Sequence, residues 1–455
     1  MSTKPPSGTR DFLPDDIRRR EYVIGVIRDV YERYGFEPLE TPAFENIETL
    51  LGKYGEEGNK LIFKILKRGE HEHTGEADLA LRYDLTVPLA RVVAQYQNAL
   101  PRFFKRYQIQ PVWRADRPAR GRFREFFQCD LDTIGTTSPM VEAEQILAVS
   151  EILTTLGFGG FQIHLNHRRI LTGLLEAVRI PAALQDSALV ALDKFDKVGE
   201  AGVVMEFGNR HIDPLAAHTL IDVLREIYLK PVDADPSVVN RSRLASLAEI
   251  LDGSEHRYAV DNLTEIIDLV GDTPAGRHVF VNPRLARGLS YYTGAILEIT
   301  VPDLAGSLGG GGRYDNLVGM FLGRDLPACG FSLGLERIIV VMTEREMFPE
   351  TVARGGADIL VTIWNHESRD QSLALAGELR RAGLRVDVYP EADKLGKQFK
   401  YASARNLPYV AILGDDEMAR GEVAIKDLRS GEQTSVRRSE AAAFVERALN
   451  AEPRT

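Results

Sequence analysis

The stretch VWRADRPARGRFREFFQCDLDTIG, residues 112–135, has the pattern of a β-hairpin. Apolar and polar residues largely alternate over Tyr107–Arg114 and again over Arg122–Asp132. The segment between them, Ala115–Gly121, contains a proline and a glycine, which favour turns. Two alternating segments joined by such a loop predict two antiparallel strands, each with one apolar and one polar face.

The polar face of this hairpin has a composition that favours ligand binding. Because side chains point to alternate faces of a strand, we expect Arg114, Gln128 and Asp132 to share one face. Phe126 falls on the same face. The polar face of most hairpins is simply exposed to solvent, and that alternative applies here too. A face that combines arginines, aspartates and an aromatic ring is more typical of the floor of a binding site.

The hairpin also lies within a run of positive charge. Between Arg102 and Arg124 the only acidic residue is Asp116. The cationic residues of this run are Arg102, Lys105, Arg106, Arg114, Arg117, Arg120, Arg122 and Arg124. Aromatic rings are interleaved with them and are costly to leave in water, so the run is predicted to be structured. It indicates a site for a polyanion: ATP, RNA or both.

N-terminal to the hairpin, the pattern predicts one long helix and one edge strand. Apolar residues recur at helical spacing from Pro14 to Tyr34, and Gly35 ends the pattern. An extended piece follows, and Pro38 and Pro42 confine it to a sheet edge or an interface. From Ala80 to Gly135 the spacing of apolar residues changes to every second position, which predicts extended structure.

C-terminal to the hairpin, a helical insertion is predicted to interrupt the sheet. The residue pattern is typical of helices over about residues 170–275, and strand-like segments return at His278–Asn282 and Ala295–Val301. The glycine-rich stretch SLGGGGRYDNLVG, residues 307–319, lacks the GK[ST] ending of a phosphate loop. Its glycines are better explained by close strand approach or a turn. A helix is expected from Leu335.

The last hundred residues change to alternating strands and helices. Strands are predicted at 358–363, 384–389 and 409–413, with helices at 368–382 and 394–406. This order is typical of a small α/β domain with a largely parallel sheet. The predicted domains are therefore residues 1–345, a linker at 346–356, and residues 357–455.

Composition excludes several classes of protein. The chain has 455 residues, of which 44% are hydrophobic and 27% charged, as in soluble globular proteins. No run of eighteen apolar residues is present, so no membrane span is expected. The N-terminus has neither a secretory nor a transit pattern, and the two cysteines form no disulfide framework. We expect a cytoplasmic protein. The net charge of −10 argues only weakly against a nucleic-acid partner, since a mean charge does not describe patches.

Four blocks together resemble the histidyl-tRNA synthetases, a class II family. They are LRYDLTVPLAR (81–91), the stretch 112–135 itself, RGLSYYTG (287–294) and GFSLGLERI (330–338). Further stretches similar to the family are GTRDFLP (8–14), GGGGRYDNLVG (309–319) and LGKQFKYASARNLPYVAILGDDE (395–417), so the resemblance covers nearly the whole chain. Ser290 stands where the family has an aspartate.

The resemblance implies a fold and a reaction. The fold would be α+β: a class II antiparallel sheet with flanking helices and a helical insertion, followed by an α/β anticodon-binding domain. The reaction would use ATP to convert L-histidine into histidyl-adenylate and then transfer histidine to the 3′ end of tRNA(His), releasing AMP and pyrophosphate. The family is homodimeric, and Mg²⁺ would bridge the ATP phosphates with few dedicated protein ligands.

The resemblance also implies roles for individual residues. Arg114 and Arg287 would be catalytic, stabilising charge as it develops at the α-phosphorus. The residues expected to bind ATP are Arg114, Arg122, Phe126 and Arg337. Those expected to bind histidine are Asp84, Leu85, Thr86, Gln128, Asp132, Arg287, Tyr291 and Tyr292. Candidates for tRNA contact are Arg117, Arg120, Lys397 and Lys400. For the two lysines, solvent-exposed helix charge is an equal alternative.

Two other functions share much of this sequence pattern. Synthetase-like regulatory subunits of histidine biosynthesis have the catalytic fold but lack the C-terminal domain and lose site residues. A synthetase-like RNA-binding or signalling module without turnover is the second alternative. The retained residues and the last domain favour the enzyme over the regulatory subunit; the residues are Arg114, Gln128, Arg287, Tyr292 and Arg337. Histidine-dependent exchange of pyrophosphate into ATP would distinguish the enzyme from the module without turnover.

Overall fold

The computed structural model describes residues 3–54, 58–69, 73–229, 235–287, 291–302, 304–353 and 356–450. Ser290 and two residues of the predicted linker, 354 and 355, lie outside these ranges. The chain divides into two compact units. The first comprises the residues up to Asp11 together with Val23–Met347, and the second comprises Phe12–Tyr22 together with the residues from Phe348 onward.

The strands of the first unit form two sheets. In chain order they are β1 (Glu37–Pro38), β2 (Phe44–Asn46), β3 (Lys64–Leu66), β4 (Ala77–Leu81), β5 (Phe104–Trp113), β6 (Glu125–Ile134), β7 (Gln162–His167), β8 (Val279–Val281), β9 (Ala295–Thr300), β10 (Gly309–Arg313) and β11 (Ala328–Gly334). The large sheet has the order β1-β5-β6-β11-β10-β9-β7-β8, and the small one β2-β4-β3. The inner pairs of the large sheet are antiparallel, and only the two edge pairs are parallel.

Helices flank these sheets and form the insertion. In chain order they are α1 (Pro14–Arg33), α2 (Ile47–Leu50), α3 (Thr86–Tyr96), α4 (Met140–Thr155), α5 (Arg168–Ala177), α6 (Ala182–Leu192), α7 (Phe195–Asn209), α8 (Pro214–Tyr228), α9 (Pro236–Ile250), α10 (Ser254–Gly271), α11 (Gly319–Leu322) and α12 (Leu335–Glu344). Helices α5 to α10 lie between the parallel neighbours β7 and β8, so the predicted helical insertion is a long crossover at one edge of the sheet. The predicted α+β class with a large antiparallel sheet is confirmed.

The predicted hairpin is the pair β5–β6, the second and third strands of the large sheet. Its strands pair over their full length, from Phe104 opposite Ile134 to Trp113 opposite Glu125. The first edge strand, β1, contains Pro38 and pairs only with β5, as a proline-containing strand must.

The extended period predicted from Ala80 to Gly135 is wrong over Thr86–Tyr96, which form helix α3. Most of the first two turns of α3 are buried, and the buried residues are Val87, Pro88, Leu89, Ala90, Val92 and Val93. Pro88 lies in the first turn, where its missing N–H costs little. Short apolar runs do not by themselves distinguish strand from helix, and here the fold decides.

The second unit contains the predicted strands and helices of the C-terminal region. Its elements are α13 (Glu350–Ala353), β12 (Ile359–Val361), α14 (Arg369–Arg381), β13 (Val386–Val388), α15 (Leu395–Ala404), β14 (Tyr409–Ile412), α16 (Asp415–Arg420), β15 (Glu422–Asp427), β16 (Gln433–Arg437) and α17 (Ala441–Asn450). The sheet order is β13-β12-β14-β15-β16. The expectation of a largely parallel sheet needs correction, because β14–β15 and β15–β16 are antiparallel. Ile359 and Leu360 belong to cores on opposite faces, as expected for a central strand.

Candidate active site on the β6 face of the large sheet

Strand β6 presents its polar residues to one face of the sheet, in register with its neighbours. Asp132 lies opposite Arg106 of β5 and Gly330 of β11, and Gly330 lies opposite Gly312 of β10. Residues directly opposite one another in antiparallel strands point to the same side. We call these four residues the Asp132 row.

A second row runs across the same face two residues away. Asp130 lies opposite Gln108 and Ser332, Ser332 lies opposite Gly310, and Gly310 lies opposite Glu298 of β9. We call this set the Asp130 row. Gln128, two residues further along β6, lies opposite Gln110 and Gly334. The predicted alternation of the hairpin therefore places Gln128 and Asp132 on one face, as expected.

The glycines of β10 and β11 have no side chain on this face, so the large polar side chains of neighbouring elements can lie over them. A Cβ atom at Gly330 would overlap the Oδ1 atom of Asp132, and one at Gly310 would overlap the Nη1 atom of Arg287. The prediction that the glycine-rich stretch permits close approach is confirmed. The groups that approach these glycines are the side chains of Asp132 and Arg287 as well as the backbone of neighbouring strands.

Asp132 is held by two buried partners. The Arg106 side chain has no exposed surface, and its Nη2 lies 2.8 Å from Asp132 Oδ2. The Tyr314 hydroxyl donates a short hydrogen bond to Asp132 Oδ1. Burial raises the pKa of Asp132, and the positive charge of Arg106 opposes that shift. The Asp132 carboxylate thus carries its own countercharge within the protein.

Asp84 lies just before helix α3 and is held by one oxygen only. The Tyr54 hydroxyl and the Val87 N–H each donate to Asp84 Oδ1 over 3.0 Å. Its Oδ2 is buried and has no hydrogen-bond partner among the residues that the structure describes. Burial raises the pKa of Asp84, and the Val87 N–H and Arg114 counteract it. Leu85, fully buried, and the partly exposed Thr86 begin the helix beside it.

Gln128 shows the same pattern of one satisfied and one unsatisfied atom. Its Nε2 donates to Ser332 Oγ over 2.9 Å, whereas its Oε1 is buried without a partner in the described part of the chain. Asp130 is only 2% exposed, and its Oδ1 is likewise unpartnered. Burial raises the pKa of Asp130 to about 7, against the opposing charge of Arg106.

The tyrosines of the RGLSYYTG block lie beside this face. Tyr291 and Tyr292 are buried, with ring centroids 4.8 Å apart, and the Tyr291 ring meets that of Tyr314 edge-on at 6.1 Å. The Arg287 guanidinium lies 5.7 Å from the centroid of Tyr292, and its Nη1 lies 3.5 Å from Glu298 Oε1. This block therefore reaches both rows of the sheet face.

The arginines predicted to bind ATP lie around the loop end of the hairpin. Arg114 Nε donates to the Tyr83 carbonyl over 3.0 Å, and the guanidinium lies 5.2 Å from the centroid of Phe126. Arg337 donates to the carbonyl of Gly121 in the hairpin loop over 3.3 Å. Arg337 also donates to the Ser307 carbonyl. Arg122 is half exposed and pairs with Asp116 at 2.7 Å.

The residues predicted to contact tRNA are all exposed. Arg117 and Arg120 lie in the hairpin loop, where Arg120 Nε donates to Glu344 over 2.9 Å. Lys397 and Lys400 lie on helix α15 of the second unit, and Lys397 pairs with Asp393 at 2.9 Å. Exposure of this kind is equally consistent with solvated charge, so these roles stay predictions.

Several residues of the site were not singled out from the sequence. Arg106 follows the hairpin alternation, so its position opposite Asp132 was available from the pattern. Tyr54, Tyr314 and Ser332 carry no comparable signal, because their contacts depend on which strands and loops are neighbours in space. Within the described residues, no group of three acids, histidines or cysteines is arranged to hold a metal ion. No described helix is both long and apolar enough to span a bilayer.

Comparison with known proteins matches the two units to two families. A family model for histidyl-tRNA synthetase matches residues 8–338, and one for an anticodon binding domain matches residues 358–448. The histidine–tRNA ligase of Flavobacterium johnsoniae is 41% identical to this chain, and the match covers 96% of this chain and 98% of that protein. The histidine–tRNA ligase of Porphyromonas gingivalis is 43% identical, with 94% and 95% covered.

Solved structures agree with this match. The crystal structure of histidyl-tRNA synthetase from Nostoc sp. superposes with a TM-score of 0.82 at 33% identity, covering 99% of this chain and 100% of that one. A Bacillus halodurans structure described as an ATP phosphoribosyltransferase regulatory subunit/histidyl-tRNA synthetase superposes with a TM-score of 0.72 at 21% identity, covering 90% of this chain and 98% of that one. At that identity the second likeness extends to the fold alone.

Proposed function

The chain belongs to the histidyl-tRNA synthetase family, and from that membership we propose that it is a histidine–tRNA ligase. It activates L-histidine with ATP to form histidyl-adenylate and pyrophosphate. It then transfers histidine to the 3′ end of tRNA(His) and releases AMP. The observation that carries the proposal is the convergence of Asp84, Gln128, Asp132 and Arg287 around one bare sheet face, where buried acceptor atoms await a ligand.

Asp132 and Tyr292 bind the imidazole ring in this proposal. Asp132 already has Arg106 as its counter-ion, so the neutral ring suits it better than a charged imidazolium. The lone pairs left on Asp132 Oδ2 can accept a ring N–H. A buried site built to bond both ring nitrogens rejects other side chains, because they would leave those groups unpaired.

Asp84, Thr86 and Gln128 bind the α-ammonium group. Asp84 Oδ2 and Gln128 Oε1 are buried acceptors without partners in the described structure. A cationic ammonium supplies three donors and the missing positive charge. Leu85 lines the same turn and Tyr291 packs beside Tyr292, closing the pocket.

Arg114, Arg122, Phe126 and Arg337 bind ATP. Phe126 and Arg337 would sandwich the adenine, since an aromatic face and a planar guanidinium both stack on that ring. Arg114 would hold the α-phosphate and Arg122 the phosphate tail, released from Asp116. The acidic contact of Arg287 among the described residues is Glu298 at 3.5 Å, so its charge would be available where negative charge develops at phosphorus.

Mg²⁺ would enter with ATP. Asp130 and Asp132 are buried near Arg106, so Glu298 is the carboxylate of this sheet face whose chemistry fits a magnesium ion. The ion would offset the charge of the phosphates when bound.

Residues 1–345 would form the catalytic domain and residues 357–455 the anticodon-binding domain. These boundaries differ from those of the two compact units, because the second unit also includes Phe12–Tyr22. Arg117 and Arg120 would meet the acceptor end of tRNA(His), and Lys397 and Lys400 would meet phosphates of its anticodon arm. All four side chains are exposed, as phosphate contacts require.

The enzyme would act as a cytoplasmic homodimer. The small sheet exposes Phe44 and Leu66, which are 51% and 56% accessible, and Leu51 nearby in sequence is 37% accessible. Large apolar side chains on short strands are typical of a covered surface. We expect light scattering on the purified chain to give the mass of two copies, and a monomer at micromolar concentration would remove this part of the proposal.

The test of the activity is histidine-dependent exchange of labelled pyrophosphate into ATP. We expect exchange with histidine and none with other amino acids. Asp132→Ala should abolish it, while Arg420→Ala, which removes an exposed arginine of the second unit, should not. Absence of exchange by a folded chain that still binds tRNA would favour the RNA-binding module. The regulatory-subunit alternative is disfavoured by the anticodon-domain match at residues 358–448.

A further inference from the structure

Ser332 connects Gln128 to a second buried carboxylate that the proposed reaction leaves without a role. Gln128 Nε2 donates to Ser332 Oγ over 2.9 Å. The same hydroxyl is hydrogen-bonded to the carboxylate of Asp130, its opposite neighbour in the sheet. Gln128, Ser332 and Asp130 thus form a chain of hydrogen bonds on the sheet face, which we call the Asp130 relay.

Counting protons along the relay determines how the Gln128 amide is turned. A serine hydroxyl has one proton to donate, and a carboxylate can only accept. When Asp130 is ionised, the Ser332 proton goes to Asp130, and the group facing Ser332 from the other side must itself be a donor. Only the NH₂ end of the Gln128 amide meets that requirement, so its carbonyl oxygen must point the other way.

The orientation matters because the two ends of a carboxamide have opposite preferences for a cation. A carbonyl oxygen accepts from an ammonium group, whereas an NH₂ group would face it donor to donor. Gln128 Oε1 is buried without a partner in the described structure, which is the state expected of an acceptor awaiting a ligand.

We propose that Asp130 is a positioning residue that, through Ser332, holds the Gln128 carbonyl toward the α-ammonium group of the substrate. This inference rests on the proposed binding of the histidine ammonium by Gln128. It assigns a role to a carboxylate that no other step uses.

The neighbours of Asp130 are consistent with an indirect role. Arg106 is committed to Asp132, and the nearby Asp84 and Asp132 are both acidic. Burial of Asp130 among them raises its pKa to about 7, so keeping a charge there is costly. A carboxylate retained at such a cost is better explained by orienting a neighbour than by packing.

The test compares two ligands that differ only in the ammonium group, measured at pH 8. Histidinol carries the imidazole, a hydroxymethyl group and the ammonium, and imidazolepropanol carries the imidazole and the hydroxymethyl group without the ammonium. In the full-length protein, Ser332→Ala should weaken histidinol binding by roughly 10- to 100-fold, the range for one hydrogen bond to a charged group. The dissociation constant of this variant for imidazolepropanol should change by less than about twofold, because the lost hydrogen bond does not orient any group toward that ligand. Ser332→Thr keeps the hydroxyl and should restore histidinol binding, and Asp130→Asn should weaken histidinol selectively too.

Thr133→Val provides the matched control. Thr133 lies on the opposite face of the same strand, is buried, and its hydroxyl has no partner among the described residues. The variant should bind both ligands as the parent protein does.

Three outcomes would overturn the relay. Equal weakening of both ligands by Ser332→Ala would mean a general packing role. Unchanged histidinol binding in Ser332→Ala with a large loss in Asp130→Asn would mean that Asp130 contacts the ammonium directly. Unchanged binding in both variants would leave Asp130 without a role in the site. A parent protein that binds neither ligand and shows no pyrophosphate exchange would instead refute the proposed function.

Discussion

Asp132 and Asp84 are both buried carboxylates of the same candidate site, but among the described residues only Asp132 has a cation in contact with it. Arg106 lies 2.8 Å from Asp132, and Tyr314 occupies its other oxygen. Asp84 accepts from Tyr54 and from a backbone N–H, with no ion pair among the described residues.

This difference matches the chemistry of the two ends of histidine. The ring is largely neutral near pH 7, so the protein supplies the countercharge for Asp132 itself. The α-ammonium is charged, so Asp84 is left for the substrate to neutralise. Asp132, at the ring end, has its countercharge before histidine binds. Asp84, at the ammonium end, receives its countercharge from the ligand. The following variants test that contrast, beginning with the largest expected effect.

Arg106→Met should cause the largest loss of stability. It leaves the Asp132 carboxylate buried without its cation, and breaking a buried pair in this way costs about 3–5 kcal/mol of unfolding free energy. Urea unfolding followed by circular dichroism measures the loss. Adding Asp132→Asn to Arg106→Met should recover part of it, because no unpaired charge remains.

Asp84→Asn is the matched comparison for Arg106→Met. It breaks no ion pair, so we expect it to change the unfolding free energy by less than about 1 kcal/mol, the scale of one hydrogen bond. Its effect should appear in histidine binding instead. Equal destabilisation by the two variants would contradict the contrast between the two ends.

Arg287→Ala should reduce catalysis without a matching loss of stability. Single-turnover formation of the adenylate should slow by at least about 100-fold, the scale for losing one preorganised electrostatic group. The unfolding free energy should change little, since the side chain is 21% exposed and its acidic contact with Glu298 is 3.5 Å long. A near-normal rate would remove Arg287 from the reaction.

Much of the fold could be predicted because long periodic patterns determine it. Helix α1 was expected over Pro14–Tyr34 and ends at Arg33, and the hairpin alternation predicted the pair β5–β6. The small sheet and the antiparallel strands β15 and β16 were missed. Strands of three to six residues carry too little pattern, and their pairing depends on tertiary neighbours.

The residues of the candidate site also fall into two groups, those that local alternation predicts and those whose positions depend on strand order. Residues that share one hairpin face, such as Gln128 and Asp132, follow from alternation alone. Tyr314 and Ser332 reach that face only because β11 lies next to β6 and β10 next to β11. Local periodicity does not predict the order of strands that a long insertion separates. The contacts that orient Asp132 and Gln128 could therefore be identified only from the structure.

Tyr314→Phe should produce a moderate effect confined to the ring end. It removes the hydroxyl that donates to Asp132 Oδ1 and keeps the aromatic ring. We expect the KM for histidine to rise by about tenfold with kcat changed less, since a hydrogen bond to a charged group contributes about 1.5–3 kcal/mol. Tyr107→Phe, which removes a hydroxyl bonded to Glu32 at 2.8 Å, should leave the KM unchanged. An equal rise in both variants would mean that the effect is not specific to Asp132.

Asp130→Asn should show its effect on stability as a difference between two pH values. The pKa of Asp130 is raised from 3.8 to about 7 in the folded protein, so between these values the folded state binds more protons than the unfolded state. Stability from this group is therefore full below about pH 4 and is lost as the pH rises through 7. The asparagine does not titrate, so the stability of Asp130→Asn relative to the parent should be higher near pH 8 than near pH 5.

Asp427→Asn is the control, because Arg429 lowers the pKa of Asp427, and this carboxylate is ionised across this range in both the folded and the unfolded state. Its relative stability should not change between the two pH values, and a flat response in Asp130→Asn as well would show that Asp130 does not titrate near 7.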